Sequence, residues 1–220
     1  ADVAIGVPGE GVAGNTDAGA VNVLYGGPGG LTSAGNQILT QQDTPSAVPE
    51  EDDQFGYALA AGDFDGNGCT DLAVGVPSES VGTIDDAGAV YVFYGTRSAN
   101  GLDTGRVEPW FQDLGDIQDS SETLDNFGRA LGAGDFDSDG YSDLVIGVPF
   151  EEISGNIVAG AFHVLYGSPL GLTATGDQLF SQLNVGGDLE AEDEFGSSFA
   201  AGDFDGDGYE DLAVGSPGEN

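Results

Sequence analysis

The chain has 220 residues, of which 39 are acidic and only three are basic, giving a formal charge of −36. Arg97, Arg106 and Arg129 are the only cations besides His163, so nothing neutralises a phosphate backbone: nucleic acid is excluded as a partner and an anionic membrane surface is disfavoured. No apolar run approaches a membrane span, while 39 glycines imply many tight turns and a hydrophobic fraction of 39% suffices for a core.

In order, the chain opens with DVAIGVPGE (2–10), a compact apolar run stopped by proline, as a buried strand ending in a loop should be. GAVNVLYGG (19–27) follows, β-branched and aromatic, and then the more polar NQILTQ (36–41), which suits an outer edge. After the acidic PEEDDQ comes FGYALAAGDFD (55–65), in which Phe55, Tyr57, Leu59 and Ala61 alternate with small residues. That period of two predicts a strand with one bulky and one small face. It runs into the nine residues Asp63–Asp71, DFDGNGCTD.

The cycle then returns as DLAVGVPSE, GAVYVFYGT, RVEPWFQ, DSSETLDN, FGRALGAGDFD and a second acidic loop, Asp135–Asp143 (DFDSDGYSD). It returns again as DLVIGVPFE, GAFHVLYGS, DQLFSQ, DLEAEDE, FGSSFAAGDFD and a third, Asp203–Asp211 (DFDGDGYED), before DLAVGSPGE. The unit is roughly seventy residues long and reads as four short strands without a sustained helical period. Four-stranded sheets at fixed period are the signature of propeller blades. The fold class expected is therefore all-β, a β-propeller of four-stranded antiparallel blades, with about three blade equivalents in this chain. The units are a partial blade over 1–42, blades over 54–112 and 126–182, and a partial blade over 194–220. Asp2 reads as the last residue of a loop whose earlier part is cut away; with no methionine and no leader, the chain reads as a processed product or a fragment.

The acidic loops carry the chemistry. Oxygen-bearing side chains recur at alternate positions: Asp63, Asp65 and Asn67; Asp135, Asp137 and Asp139; Asp203, Asp205 and Asp207. Alternate residues converge their oxygens on one point, the carbonyls of Cys69, Tyr141 and Tyr209 add another, and Asp71, Asp143 and Asp211 close each loop as potential bidentate ligands. This spacing predicts about three Ca2+ sites. An EF-hand is excluded, because it needs flanking helices and a glutamate where Val74, Ile146 and Val214 stand. Cys69, the only cysteine, allows no internal disulfide and reads as a small tolerated side chain.

The run FG…GDFDGNGxxDLAVGVP followed by GAVYVFYG resembles the FG-GAP repeat of the integrin α-subunit β-propeller and its bacterial relatives, over essentially the whole chain. The resemblance implies a seven-bladed propeller with calcium in the hairpins between the first and second strands of several blades, held here by the loop residues named above. It also implies an extracellular or cell-surface location and a partner face opposite those hairpins. That face is acidic, with Glu10, Glu79, Glu151 and Glu219 each two residues after a proline; these turns read either as solvated or as a partner surface.

Other residues give narrower expectations. His163 aligns with Asn22 and Tyr91, and such variety at one repeated place suggests a solvent-facing site. Trp110 and Phe111 read as packing residues, with a sugar-stacking platform as the alternative; Arg129 is a candidate partner for a loop carboxylate. No nucleophile–base arrangement stands out, so the chain reads as non-catalytic. Three roles follow: a calcium-binding module that mediates adhesion or binds a protein or glycan, a building block of a surface assembly completed by further blades or copies, or the non-catalytic propeller of a secreted hydrolase or lyase.

Overall fold

A computed structural model describes residues 1–45, 47–97, 101–155 and 158–219. Four antiparallel sheets follow one another along the chain. The first has β1 (Val3–Val7), β2 (Ala20–Gly27) and β3 (Gly30–Leu39). The second has β4 (Leu59–Gly62), β5 (Asp71–Val76), β6 (Ala89–Thr96) and β7 (Gly101–Trp110). The third has β8 (Ala130–Gly134), β9 (Asp143–Val148), β10 (Ala161–Tyr166) and β11 (Thr173–Phe180), and the last has β12 (Ser198–Gly202) and β13 (Asp211–Gly215). Within each sheet the spatial order is the chain order, as in propeller blades. The innermost strands β4, β8 and β12 lie side by side.

The hydrophobic core lies between blades. Strands β5 and β9 are buried along their whole length, because each faces a neighbouring sheet on both sides, which explains their unbroken apolar runs. Val90, Val92 and Tyr94 of the second sheet pack with Leu144, Ile146 and Leu165 of the third. Val21, Val23 and Leu39 of the first pack with Val74, Tyr91 and Phe93 of the second. Phe55, Phe127 and Phe195 each plug one of these inter-sheet seams.

The FG segments are not strands along their full length. Phe55 to Tyr57 form a bridge and turn, and β4 begins only at Leu59. The reason is steric. Gly56, Gly128 and Gly196 adopt φ of +88°, +86° and +89°, a left-handed conformation that glycine takes without strain. Their carbonyl oxygens press on Gly6, Gly75 and Gly147 of the preceding sheet so closely that a Cβ there would lie 2.0, 2.1 and 2.2 Å away. The glycine of each GVP is thus a notch for the FG turn of the next blade.

Two side-chain expectations are corrected. His163 is fully buried, its Nδ1 3.2 Å from both oxygens of Asp177 and its ring 5.6 Å from that of Phe127. The variety at its repeated position reflects different neighbours in different seams, since Tyr91 is buried too. Arg129 meets no carboxylate among its contacts; it stacks over Tyr57 and Phe150 and donates to Asn126 Oδ1 at 3.4 Å. Trp110 is buried in the seam between the second and third sheets, as a packing residue.

Candidate metal centres

Each acidic loop joins the first strand of a blade to the second: Asp63–Thr70 between β4 and β5, Asp135–Ser142 between β8 and β9, Asp203–Glu210 between β12 and β13. The loops fold alike because their side chains cap their own backbone. Asp63 Oδ1 accepts from the amide of Asn67 at 3.0 Å and Oδ2 from that of Gly68 at 2.9 Å. Asp65 Oδ1 accepts from Asn67 N–H at 3.1 Å, and Asn67 Oδ1 from Cys69 N–H at 2.8 Å. Asp135, Asp137 and Asp139 repeat these bonds, as do Asp203, Asp205 and Asp207.

The closing aspartates fasten the hairpin to the third strand. Asp71 accepts from Phe64 N–H at 2.8 Å and from Gly95 N–H at 2.7 Å; Asp143 accepts from Phe136 N–H at 2.8 Å and from Gly167 N–H at 2.9 Å. A register shift in β6 and β10 just before those glycines turns the amides toward the carboxylate. Asp2 makes the same bond to Gly26 N–H, at 2.8 Å.

Three carboxylate sets result: Asp63, Asp65 and Asp71; Asp135, Asp137 and Asp143; Asp203, Asp205 and Asp211. Within each, one oxygen from every residue lies within 4.8 Å of the others. Asp139 and Asp207 stand outside these sets, and Asn67 turns its Nδ2 to Gly95 O at 3.0 Å. Cys69 and Tyr141 are half-buried and Tyr209 is exposed. A donor set made only of oxygens, with lone pairs left on every carboxylate, fits a hard cation such as calcium.

Without a cation the sets are electrostatically costly. Burial pushes the carboxyls of Asp71 and Asp143 up to about 6, against backbone hydrogen bonds that lower them, and neighbouring loop aspartates add to the rise. The first loop differs from the others. Burial would raise Asp65, but hydrogen bonds from Arg106 and Asn67 outweigh it and the net shift is downward. Arg106 pairs with Asp65, stacks 3.8 Å from the centroid of the Tyr94 ring and donates to Leu170 O at 3.0 Å. The loops also touch one another. Asp135 N–H donates to Glu210 Oε2 of the third loop at 3.0 Å, and Tyr141 lies over Gly66.

At the other end of the blades the acidic turns are divided: Glu10, Glu50, Glu122, Glu190 and Glu219 are exposed and Glu79 is half-buried, while one aspartate of each turn is enclosed. Asp53, Asp125 and Asp193 are buried, and Glu151 is only 2% exposed. Burial first, and then neighbouring carboxylates, push Glu79 and Glu151 up to about 8. Sequence reading missed this arrangement, although one signal was available: the interval from Asp53 to Glu79 recurs from Asp125 to Glu151 and from Asp193 to Glu219.

Fold and loops together define a β-propeller segment with acidic inter-strand hairpins. The FG-GAP repeat family matches residues 55–93, 127–165 and 195–220, so the chain is an FG-GAP repeat protein of the integrin-α-like kind. It is 33% identical over 168 residues to integrin alpha-PS2 of Drosophila melanogaster, covering 74% of this chain and 11% of that protein. It is 34% identical over 166 residues to integrin alpha-PS5 of the same organism, covering 74% and 15%. Against phosphatidylinositol-glycan-specific phospholipase D of Bos taurus it is 30% identical over 189 residues, covering 83% and 21%. The chain thus spans a small fraction of the length of each relative.

Proposed function

We propose that this chain is a calcium-binding, non-catalytic β-propeller module of an extracellular or cell-surface protein, and that it mediates adhesion or binds a protein or glycan. The observation that carries this reading is the set of three congruent carboxylate clusters in successive blades, Asp63/Asp65/Asp71, Asp135/Asp137/Asp143 and Asp203/Asp205/Asp211. In this reading one ion fills each hairpin, also drawing on Asn67, Asp139 and Asp207 and on the carbonyls of Cys69, Tyr141 and Tyr209. The ions set hairpin geometry, and through it the stacking of blades, while partner recognition belongs to the opposite face. Calcium is abundant outside cells, which is why loops of this kind suit that location. Strands β1 and β13 each pair with one strand only among the described residues, so further blades or copies are the partners that would extend the propeller.

A second reading, the accessory propeller of a secreted hydrolase, is favoured by the similarity to the phospholipase D. Calorimetric calcium titration of the chelated chain tests the shared premise. Asp137→Asn should remove or weaken one ion-binding event of the hairpin class; an unaltered titration would refute it. Binding of the calcium-loaded chain to immobilised matrix proteins and glycans, abolished by chelator, then favours adhesion; binding only to a separately produced hydrolase domain favours the second reading.

A further inference from the structure

The end of the third blade opposite its hairpin departs from the other copies of the unit at three positions. Counting from the aspartate that closes each hairpin, Phe150 stands where the other copies have Gly9, Ser78 and Gly218. By the same count Val158 stands where they have Asp17 and Asp86. Counting back from the phenylalanine of each FG, Leu124 stands where they have Asp52 and Glu192. Each place is glycine, serine or an acid elsewhere and apolar only here. The fold brings the three together. Leu124 lies on the turn entering β8, Phe150 and Val158 lie on the loop between β9 and β10, and all three line one cavity of about 420 Å3.

Two of these residues are held against their backbone preference. Leu124 has φ +74° and Val158 φ +59°, left-handed conformations shared by Asp52, Glu192, Asp17 and Asp86 at the matching places. A short aspartate tolerates that region, whereas a β-branched valine is strained in it. Leu124 is also 56% exposed, so packing within the chain does not offset its apolar surface. Strain combined with exposed apolar surface marks a place that a partner covers. Phe150 is fixed from behind: the Arg129 guanidinium lies 4.9 Å from its ring centroid and 5.0 Å from that of Tyr57. The edge of the cavity is acidic, with Glu122 and Glu152 exposed and Asp125 buried beside them.

We propose that this cavity docks a segment of a partner protein in which a large apolar side chain, of the leucine or phenylalanine kind, stands beside a lysine or arginine. The proposal rests on the reading that the face opposite the hairpins recognises a partner, and it names the pocket and the chemistry. The apolar side chain covers Leu124, Phe150 and Val158. Its basic neighbour lays its aliphatic stem across the opening and carries its charge to Glu122 and Glu152. Charge decides among the occupants. A second copy of this chain brings 39 acids against three arginines, and an anionic membrane brings only negative charge, so the acidic edge repels both.

The probe is a short fluorescent peptide with leucine between two lysines, read by anisotropy on the calcium-loaded full chain. Its controls carry serine for the leucine or glutamates for the lysines. The variant Leu124→Asn/Val158→Asn removes the apolar contact without changing charge. Asparagine suits a left-handed backbone, so this variant should melt no lower than the native chain. The native chain should bind the leucine peptide and neither control, and the double variant should bind it at least about tenfold more weakly. Glu122→Gln/Glu152→Gln should weaken it several-fold and flatten its salt dependence. Failure of the native chain to bind the leucine peptide, or equal affinity in the double asparagine variant, overturns the proposal. So does self-association or glycan binding that the variant loses while the peptide is ignored, since the cavity then belongs to a second copy or to a sugar. Partner binding to this face that the variant leaves intact defeats the cavity but not the partner-face reading. A failed calcium titration alongside the expected peptide difference defeats the metal reading and leaves the cavity standing.

Discussion

Asp63 and Ser142 bond each other twice across the gap between neighbouring blades: the Asp63 amide donates to Ser142 Oγ at 3.1 Å, and the Ser142 amide donates to the Asp63 carbonyl at 3.0 Å. The first residue of one acidic loop is thereby fixed by the eighth residue of the next. Ser142→Ala removes one bond of the pair and should destabilise the chain by about 1 kcal/mol in urea denaturation. Calcium affinity should fall at the first hairpin, whose Asp63 loses its anchor. A loss confined to the second hairpin would argue that the loops act independently.

Asp143 has two structural duties that need no ion. Its carboxylate accepts the amides of Phe136 and Gly167, so Asp143→Ala strands two N–H groups. The expected cost is about 2–4 kcal/mol even in chelator, by thermal or urea unfolding. Asp137→Asn, in an exposed part of the same loop, should leave chelated stability within about 0.5 kcal/mol and weaken calcium binding only. Equal effects of the two substitutions in chelator would refute this division of labour.

Arg106 occupies Asp65 in the first loop, so a cation bound there would share that carboxylate with the guanidinium. Arg106→Ala should therefore tighten calcium at that hairpin several-fold, roughly the effect of removing one like charge near the ion. The same change also removes the stack on Tyr94 and the bond to Leu170, so it should lower stability in chelator by about 1 kcal/mol. Weaker calcium binding in the variant would mean that the arginine positions Asp65 rather than competing for it.

The repeat, the strand count and the loops were legible in the sequence because each follows from a short-range rule: alternation, proline stops and fixed oxygen spacing. What escaped was set between blades. FGYALAAG has the period of a strand, yet only Leu59–Gly62 pair, because Gly56 turns to set its carbonyl into the Gly6 notch of the preceding sheet while its amide donates to Gly75 O of its own blade. His163 reads as exposed by its variability, but its partners Asp177 and Phe127 come from another strand and another segment. Glu79 and Glu151 read as surface acids because nothing local to them announces that Gln41 and Gln112 arrive from the preceding blade.

The buried acids fix the sign of the pH dependence. Glu79 and Glu151 are raised from 4.5 to about 8, and Asp53, Asp71, Asp125 and Asp143 from 3.8 to about 6, mainly by burial. A raised carboxyl binds its proton more tightly in the folded chain than in the unfolded one, so its stabilisation is complete below the unfolded value and is lost as pH climbs through the folded one. The calcium-free chain should melt progressively lower between pH 5 and pH 8. Saturating calcium should flatten or reverse that slope, since protons and ions compete for the same oxygens. A calcium-free melting temperature that rises across this window would contradict the burial of these groups.

The central claim, that cations hold these blades together, is tested most directly by the melting temperature in chelator against that in millimolar calcium at neutral pH. Each site filled at a hundredfold excess over its Kd adds about 2.7 kcal/mol, so three hairpins should raise the melting temperature by more than about 10 °C. Equal melting in chelator and in calcium would contradict the account.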